Sequence, residues 1–255
     1  MQVIMLGTGT SHGVPVLGCE CPTCRSRDPK DQRLRSSVLV KKDNNNLLID
    51  TATEFRIQAL RNGVNRVDAL LLTHTHADHV CGFDDLRRFN ELQGKVIPVY
   101  GKAAQLAELS RMFAYVFDDS AQVGGGKPRV TLKPVAEAFS IDGIEVVPIP
   151  IFHGRLSIYG YRIGRFAYVT DCSQIPQSSM ELLNDLDLLI LGVLRFRKHP
   201  THLNLSEGLQ IVEALKPKRT IFTHICHDFK HSDSRQWLPD GVELGFDGEQ
   251  IEVTD

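Results

Sequence analysis

Hydrophobic positions in this chain fall into short runs separated by polar turns, with no long apolar block. Gln2–Leu6, Ser37–Val40, Asn46–Ile49 and Val67–Leu72 have the length and aliphatic content that predict strands. The spacing over Thr53–Asn62 predicts a helix between the last two. Val96–Tyr100 then predicts a strand and Ala103–Phe113 a helix. Glu145–Ile149, Ile158–Ile163 and Phe166–Val169 predict three closely spaced strands, and Leu186–Leu191 a buried one. Leu205–Leu215 reads as an amphipathic helix, Arg219–Phe222 as a strand, and Gln250–Val253 as a last strand after the turn Asp247-Gly248. A β-rich first half and a similar second half, each with helices to cover it, predict an α/β architecture. Two mixed β-sheets would lie between helix layers, an αββα sandwich. No internal repeat is visible. Gly124-Gly125-Gly126-Lys127-Pro128 is a short linker-like stretch, so residues 1–255 are read as a single domain.

Composition narrows the class. The 255 residues are 42% hydrophobic and 24% charged, the range of a soluble globular chain large enough to bury a substantial core. No run of about 18 apolar residues occurs, so no membrane span is expected. MQVIMLGTGTSHG lacks a basic segment followed by a long apolar run, which argues against a signal peptide and for the cytoplasm. A net charge of −2 disfavours a basic surface for long nucleic acid, but a small phosphorylated ligand needs only a few local donors.

The chemistry concentrates in Leu70-Leu71-Leu72-Thr73-His74-Thr75-His76-Ala77-Asp78-His79. An apolar strand ends and, within six residues, presents three imidazoles and a carboxylate. In extended backbone His74 and His76 point the same way and can share one ion. Asp78 and His79 face another direction and can serve a second. Imidazole with carboxylate suits Zn, Mn or Fe better than Mg or Ca. A second cluster, Cys19-Glu20-Cys21-Pro22-Thr23-Cys24, places three of the six cysteines too close together for an ordinary disulfide framework and reads first as a metal site. Structural zinc takes four ligands. His227 is the best fourth ligand and Cys226 its competitor. Cys172 reads as a packed core residue.

HTHADH is similar to the HxHxDH signature of the metallo-β-lactamase superfamily, whose fold is an αββα sandwich. The resemblance implies further ligands at strand ends: His153 in IPIFHG for the first ion with His74 and His76, Asp171 in YVTDCS bridging both ions, and His224 in IFTHIC for the second ion with Asp78 and His79. Two ions roughly 3.5–4 Å apart can lower the pKa of a bridging water from ~15.7 to near neutrality, so no serine or cysteine nucleophile is needed. The segment GTGTSHGVPVLGCECPTCRS, with HTHADH, HICH and the final GFDGEQIEV, resembles the PhnP family of phosphodiesterases, named for the enzyme that opens phosphoribosyl 1,2-cyclic phosphate. That resemblance implies a structural zinc on Cys19, Cys21, Cys24 and His227. The resemblance to the superfamily spans Leu6 to Gly248.

The turn Gly7-Thr8-Gly9-Thr10-Ser11-His12-Gly13 imitates a dinucleotide fingerprint, but its third glycine falls one residue late and the acidic partner is missing. It is expected to line the active-site mouth, with His12 at the rim. His202, between Asp171 and His224, resembles the histidine with which phosphodiesterase members hold the phosphate and protonate the leaving oxygen. An imidazole titrating near neutrality suits that role. His199 competes for it, and Asn204 or Ser206 is expected to cap the following helix. His202 and Asp78 are thus the candidate catalytic side chains. The expected activity is cleavage of a small cyclic or nucleotide-like phosphodiester by metal-activated hydroxide. A nuclease similar to tRNase Z and a lactone or thioester hydrolase are the alternatives, and a non-enzymatic metal module is the distant one. No membrane partner is expected, and a homodimer is left open.

Overall fold

The computed structural model describes residues 1–118, 120 and 126–254. Gly124 and Gly125 of the linker-like stretch lie outside the described residues. The strands are β1 Gln2–Gly7, β2 Ser37–Lys42, β3 Asn45–Ile49, β4 Ala69–Leu71, β5 Ile97–Gly101, β6 Val130–Pro134, β7 Phe139–Ile141, β8 Ile144–His153, β9 Leu156–Ile163, β10 Phe166–Val169, β11 Leu188–Gly192, β12 Arg219–Thr223, β13 Val242–Leu244 and β14 Gln250–Glu252. They form two seven-stranded sheets, in the orders β14-β1-β2-β3-β4-β5-β6 and β13-β12-β11-β10-β9-β8-β7. Both are mixed: β3 to β6 and β10 to β13 run parallel, and their other pairs are antiparallel. The helices are α1 Phe55–Arg61, α2 Ala77–Val80, α3 Leu86–Gln93, α4 Ala103–Met112, α5 Ala114–Phe117, α6 Gln177–Glu181 and α7 Leu205–Leu215.

The central strands read as unbroken apolar runs because both faces of each sheet are covered. In β1, Val3 and Met5 enter the core between the sheets, while Ile4 and Leu6 enter the layer under α1, α3 and α4. The second sheet repeats the pattern. Phe166 and Tyr168 of β10 face the first sheet, and Ala167 and Val169 join the layer under α7. Tyr161 Oη crosses the middle layer and donates to the Leu72 carbonyl at 2.7 Å. Three cores in series give the expected αββα stacking.

The departures from the predicted elements have physical causes. The predicted strands Gln2–Leu6, Ser37–Val40 and Arg219–Phe222 all extend by one or two residues, whereas only Ala69–Leu71 of Val67–Leu72 is hydrogen-bonded as strand. Glu145–Ile149, which already includes Pro148, lengthens to Ile144–His153 and so runs through Pro150 as well, although proline cannot donate to a ladder. The register of β7 on β8 ends at Val146, so Pro148 and Pro150 lie where β8 has only β9 beside it. The strands that the pattern does not reveal, β6, β7 and β13, are all sheet edges, where half of the side chains face solvent. Helix α3, LRRFNELQ, buries only Leu86, Phe89 and Asn90, too few apolar positions to register as a pattern.

Candidate metal centres

The sandwich opens at one end, where loops leave the C-terminal ends of strands in both sheets. From the first sheet, β4 leads into the loop and short helix that carry His74, His76, Asp78 and His79, and β3 is followed at once by Asp50. From the second, β8 ends on His153, β10 is followed by Asp171 and β12 by His224. Asp50, Asp171 and His224 all hold left-handed backbone, with φ of 62°, 53° and 55°. Asp and His tolerate that conformation better than most residues, and such strain concentrates at functional sites.

These loops bring the expected side chains together. The donor atoms of His74, His76 and His153 lie within 4.8 Å of one another, as do those of Asp78, His79, Asp171 and His224. Asp171 faces both groups. Its Oδ2 is 3.9 Å from His74 Nε2, and its Oδ1 is 3.3 Å from His79 Nε2 and 3.1 Å from His224 Nδ1. His153 Nδ1 is held by the Thr201 carbonyl at 2.8 Å, which leaves Nε2 for the site.

The donor set fits divalent cations. His79 Nε2 is fully buried and lies 3.3 Å from both Asp78 and Asp171, yet it makes no hydrogen bond to either. Burial alone would hold the His79 imidazole neutral, but the carboxylates of Asp171, Asp78 and Asp50 drive its proton affinity well above the ordinary histidine range. Asp171 is fully buried, which would raise it, but His224 and His79 hold it well below the carboxylate range. Negative charge thus converges where only a cation relieves it.

Asp50 is a functional residue that sequence reasoning missed. Fully buried, it accepts from Thr73 N at 2.8 Å, Thr73 Oγ1 at 2.7 Å and His79 Nδ1 at 2.7 Å. A carboxylate behind a ligating histidine fixes its tautomer and its ring direction. The available signal was Asp50's position directly after a buried strand, the same one that marks His224.

The cysteine cluster also assembles. Nδ1 of His227 lies 3.2 Å from Cys19 Sγ, 3.6 Å from Cys21 Sγ and 3.4 Å from Cys24 Sγ. Cys226, the competing fourth ligand, stands outside this group and accepts from Asp228 N at 3.3 Å. Burial pushes the Cys226 thiol up to about 11. Arg33 secures this region. Its fully buried guanidinium donates to the carbonyls of Cys226 and Phe229 at 3.1 and 2.7 Å and pairs with buried Asp31 at 3.0 Å.

The remaining expectations meet mixed outcomes. Cys172 is fully buried in the layer beside α7. The glycine turn passes the site: Gly9 bridges Arg35 and Ile225, and Thr10 Oγ1 lies 3.4 Å from His224 Nε2. His12 is exposed at the rim. Asn204, and not Ser206, caps α7, in a reciprocal pair with Glu207. His202 stacks on His224 with ring centroids 4.9 Å apart and lies 4.6 Å from His153, nearer the site than His199. Its expected titration near neutrality is corrected. Burial, and then His224, pull it down to about 3, so the imidazole is neutral in the free site.

Known proteins agree with this geometry. A family model described as a β-lactamase superfamily domain matches residues 45–225. A crystal structure of a new diphosphatase from the PhnP family is 44% identical and superposes with a TM-score of 0.91, covering 99% of this chain and 98% of that one. Zn(2+)-bound PqqB from Methylobacterium extorquens is 19% identical and shares the fold with a TM-score of 0.81, covering 99% of this chain and all of that one. An octanoyltransferase of Porphyromonas gingivalis is 36% identical over 251 residues, covering 97% of this chain. This chain spans 51% of that protein's length, and the transferase name describes the longer whole. The sandwich, the strand-end donors and the full-length likeness together place the chain in the β-lactamase superfamily and, within it, in the PhnP family.

Proposed function

We propose that this hydrolase is a dinuclear phosphodiesterase acting on a small cyclic or nucleotide-like phosphodiester. His74, His76 and His153 would hold one ion, Asp78, His79 and His224 the other, and Asp171 would bridge them. Zinc or manganese suits that donor set. A third ion, a structural zinc, would sit on Cys19, Cys21, Cys24 and His227 and tie the N-terminal loop to the segment that follows His224. The observation that carries this reading is Asp171, whose two oxygens address the two donor groups separately.

When bound, the two ions would supply a nucleophilic water at neutral pH and a positive field for the charge that develops on phosphate. The residues of the chain do the rest. Asp50 orients His79, and the Thr201 carbonyl orients His153. His202 borders the first donor group, close to His153 and Asp171. Neutral in the free site, it offers an N–H to a phosphate oxygen. An anion beside it favours the charged imidazole, which can then protonate the leaving oxygen.

The likeness to a diphosphatase favours a second reading, cleavage of a phosphoanhydride. The same donor groups serve either bond. A panel of bis-p-nitrophenyl phosphate, a 2′,3′-cyclic nucleotide, a nucleoside diphosphate, a lactone, a thioester and a β-lactam separates the readings. Turnover confined to the phosphoesters supports the proposal. Turnover confined to the diphosphate transfers the function to anhydride cleavage, and turnover of the lactone or thioester alone refutes both.

A further inference from the structure

Between β11 and α7 the chain makes a loop that carries His199 and His202. Its neck is closed by three backbone bonds. Leu194 N donates to the Leu203 carbonyl at 2.9 Å, Leu205 N to the Arg195 carbonyl at 3.0 Å and Leu203 N to the Cys172 carbonyl at 2.8 Å. Its apex is held far less. Among the described residues, segment 196–202 makes one hydrogen bond beyond its own loop. There the Thr201 carbonyl accepts from His153 Nδ1 at 2.8 Å, across 48 positions of sequence. Thr201 N and Oγ1 turn inward instead, to His199 Nδ1 at 3.3 and 3.2 Å. The carbonyl that makes the outward bond belongs to the peptide joining Thr201 to His202, so that contact decides where the His202 imidazole sits.

The contact closes because residue 154 has no side chain. Gly154 follows His153 in the turn between β8 and β9, with φ of 61°. A Cβ placed there would lie 2.8 Å from Thr201 Cγ2 and 3.6 Å from Thr201 Cβ. Carbon atoms pack best at ~3.5–4.0 Å, so the first distance is a clash and the second an ordinary contact. Left-handed backbone by itself does not call for glycine here, since Asp50, Asp171 and His224 hold it with side chains. The turn cannot withdraw, because Gly154 N donates to Ser173 Oγ at 2.9 Å and that hydroxyl donates to the Phe152 carbonyl at 3.0 Å. A side chain at 154 would therefore displace the loop, which has a single outward hydrogen bond to lose.

We propose that Gly154 is a positioning residue for His202: its missing side chain lets the Thr201 peptide dock on His153, and that docking fixes the proton donor beside the first donor group. The assignment rests on the phosphodiesterase reading and deepens it, because one peptide both aims a ligand and places the acid. Misplacing a catalytic group by about 1 Å can cost on the order of 10²-fold. Losing the hydrogen-bond partner of a ligating histidine typically weakens its metal ~10–100-fold. The two losses share one cause here and should appear together.

The test is a cycle of Gly154→Ala, Thr201→Ser and Gly154→Ala/Thr201→Ser on the zinc-loaded protein. Thr201→Ser removes Cγ2, keeps the carbonyl and the hydroxyl, and should behave like wild type. At saturating zinc, Gly154→Ala should lose on the order of 10²-fold in kcat on an alkyl phosphodiester. It should lose much less on a p-nitrophenyl ester, whose leaving group needs no proton. Chelator competition should show zinc affinity lowered ~10–100-fold. Trypsin should cut faster after Arg197 and Lys198, which are exposed in the loop. Adding Thr201→Ser should restore most of all three. The strain of a side chain at φ 61° is common to both alanine variants and cancels in that comparison. Should Gly154→Ala fail to fold, Gly154→Asn tolerates that φ better and carries the same Cβ. Equal losses on both esters, or losses that Thr201→Ser leaves unrelieved, overturn the proposal. If wild type hydrolyses no phosphoester, the phosphodiesterase reading fails, while trypsin and zinc-affinity changes relieved by Thr201→Ser would still uphold the contact.

Discussion

Replacing Asp50 with asparagine changes one atom in the fold and the chemistry of a ligand. Asp50 Oδ2 accepts from both His79 Nδ1 and Thr73 Oγ1, each at 2.7 Å, while Oδ1 accepts from Thr73 N at 2.8 Å. Accepting at Nδ1 keeps one proton there, so that the proton a cation would displace is the one on Nε2, the atom facing Asp78 and Asp171. In Asp50→Asn the amide group replaces Oδ2 and donates towards Nδ1. The imidazole must then carry its proton on Nε2, where it blocks coordination. Loss of such a supporting carboxylate typically weakens metal binding ~10–100-fold, about 1.4–2.7 kcal/mol. The metal-free fold keeps the Thr73 N bond and loses about one hydrogen bond, ~1 kcal/mol, or roughly 2–4 °C in melting temperature for a chain of this size. Chelator-competition titration of the loaded protein, with calorimetry of the metal-free one, separates the two effects. Metal affinity within twofold of wild type, or a loss seen only in metal-free stability, would refute the tautomer argument.

Four further outcomes follow. His202→Ala should lose ~10²–10⁴-fold on an alkyl phosphodiester and much less on a p-nitrophenyl ester, whose leaving group needs no proton; equal losses would make His202 a phosphate ligand only. Cys21→Ser should remove about one zinc per chain by elemental analysis and lower the melting temperature, because thiolate zinc contributes to folding; an unchanged zinc count would sink the structural site. Arg33→Met strands the buried Asp31 carboxylate and should cost ~3–5 kcal/mol in urea unfolding, whereas Asp31→Leu/Arg33→Met should cost less because no charge is left alone; a single variant no worse than the double contradicts this. Burial raises Asp247 to about 6, although it accepts from Thr8 and Leu34. The folded state therefore binds its proton more tightly than the unfolded state, so stability present below pH ~4 falls by about 3 kcal/mol as pH rises through ~6. The pH slope of Asp247→Asn should lack that decline, and parallel slopes would exclude Asp247 as its source.

The amino-acid sequence by itself determined which residues could act as donors. His74, His76, Asp78 and His79 follow one buried strand within six residues, so their shared direction is a local matter of strand period and loop length. His153, Asp171 and His224 each end or follow an apolar run, but that position alone marks no ligand, and they were legible only through the resemblance to the metallo-β-lactamase superfamily; the central strands were legible because both their faces are covered. The edge strands β6, β7 and β13 were not, because a half-solvated strand carries no continuous apolar signal. Tertiary structure alone decided what lies behind and beside the donors. Asp50 meets His79 across 29 positions of sequence, and Arg33 reaches Cys226 across 193. No local pattern encodes those distances; they follow from two sheets closing on a common core. The same packing desolvates His202 and draws it down to about 3, because proton affinity depends on burial and neighbouring charge, which exist only once the chain is folded.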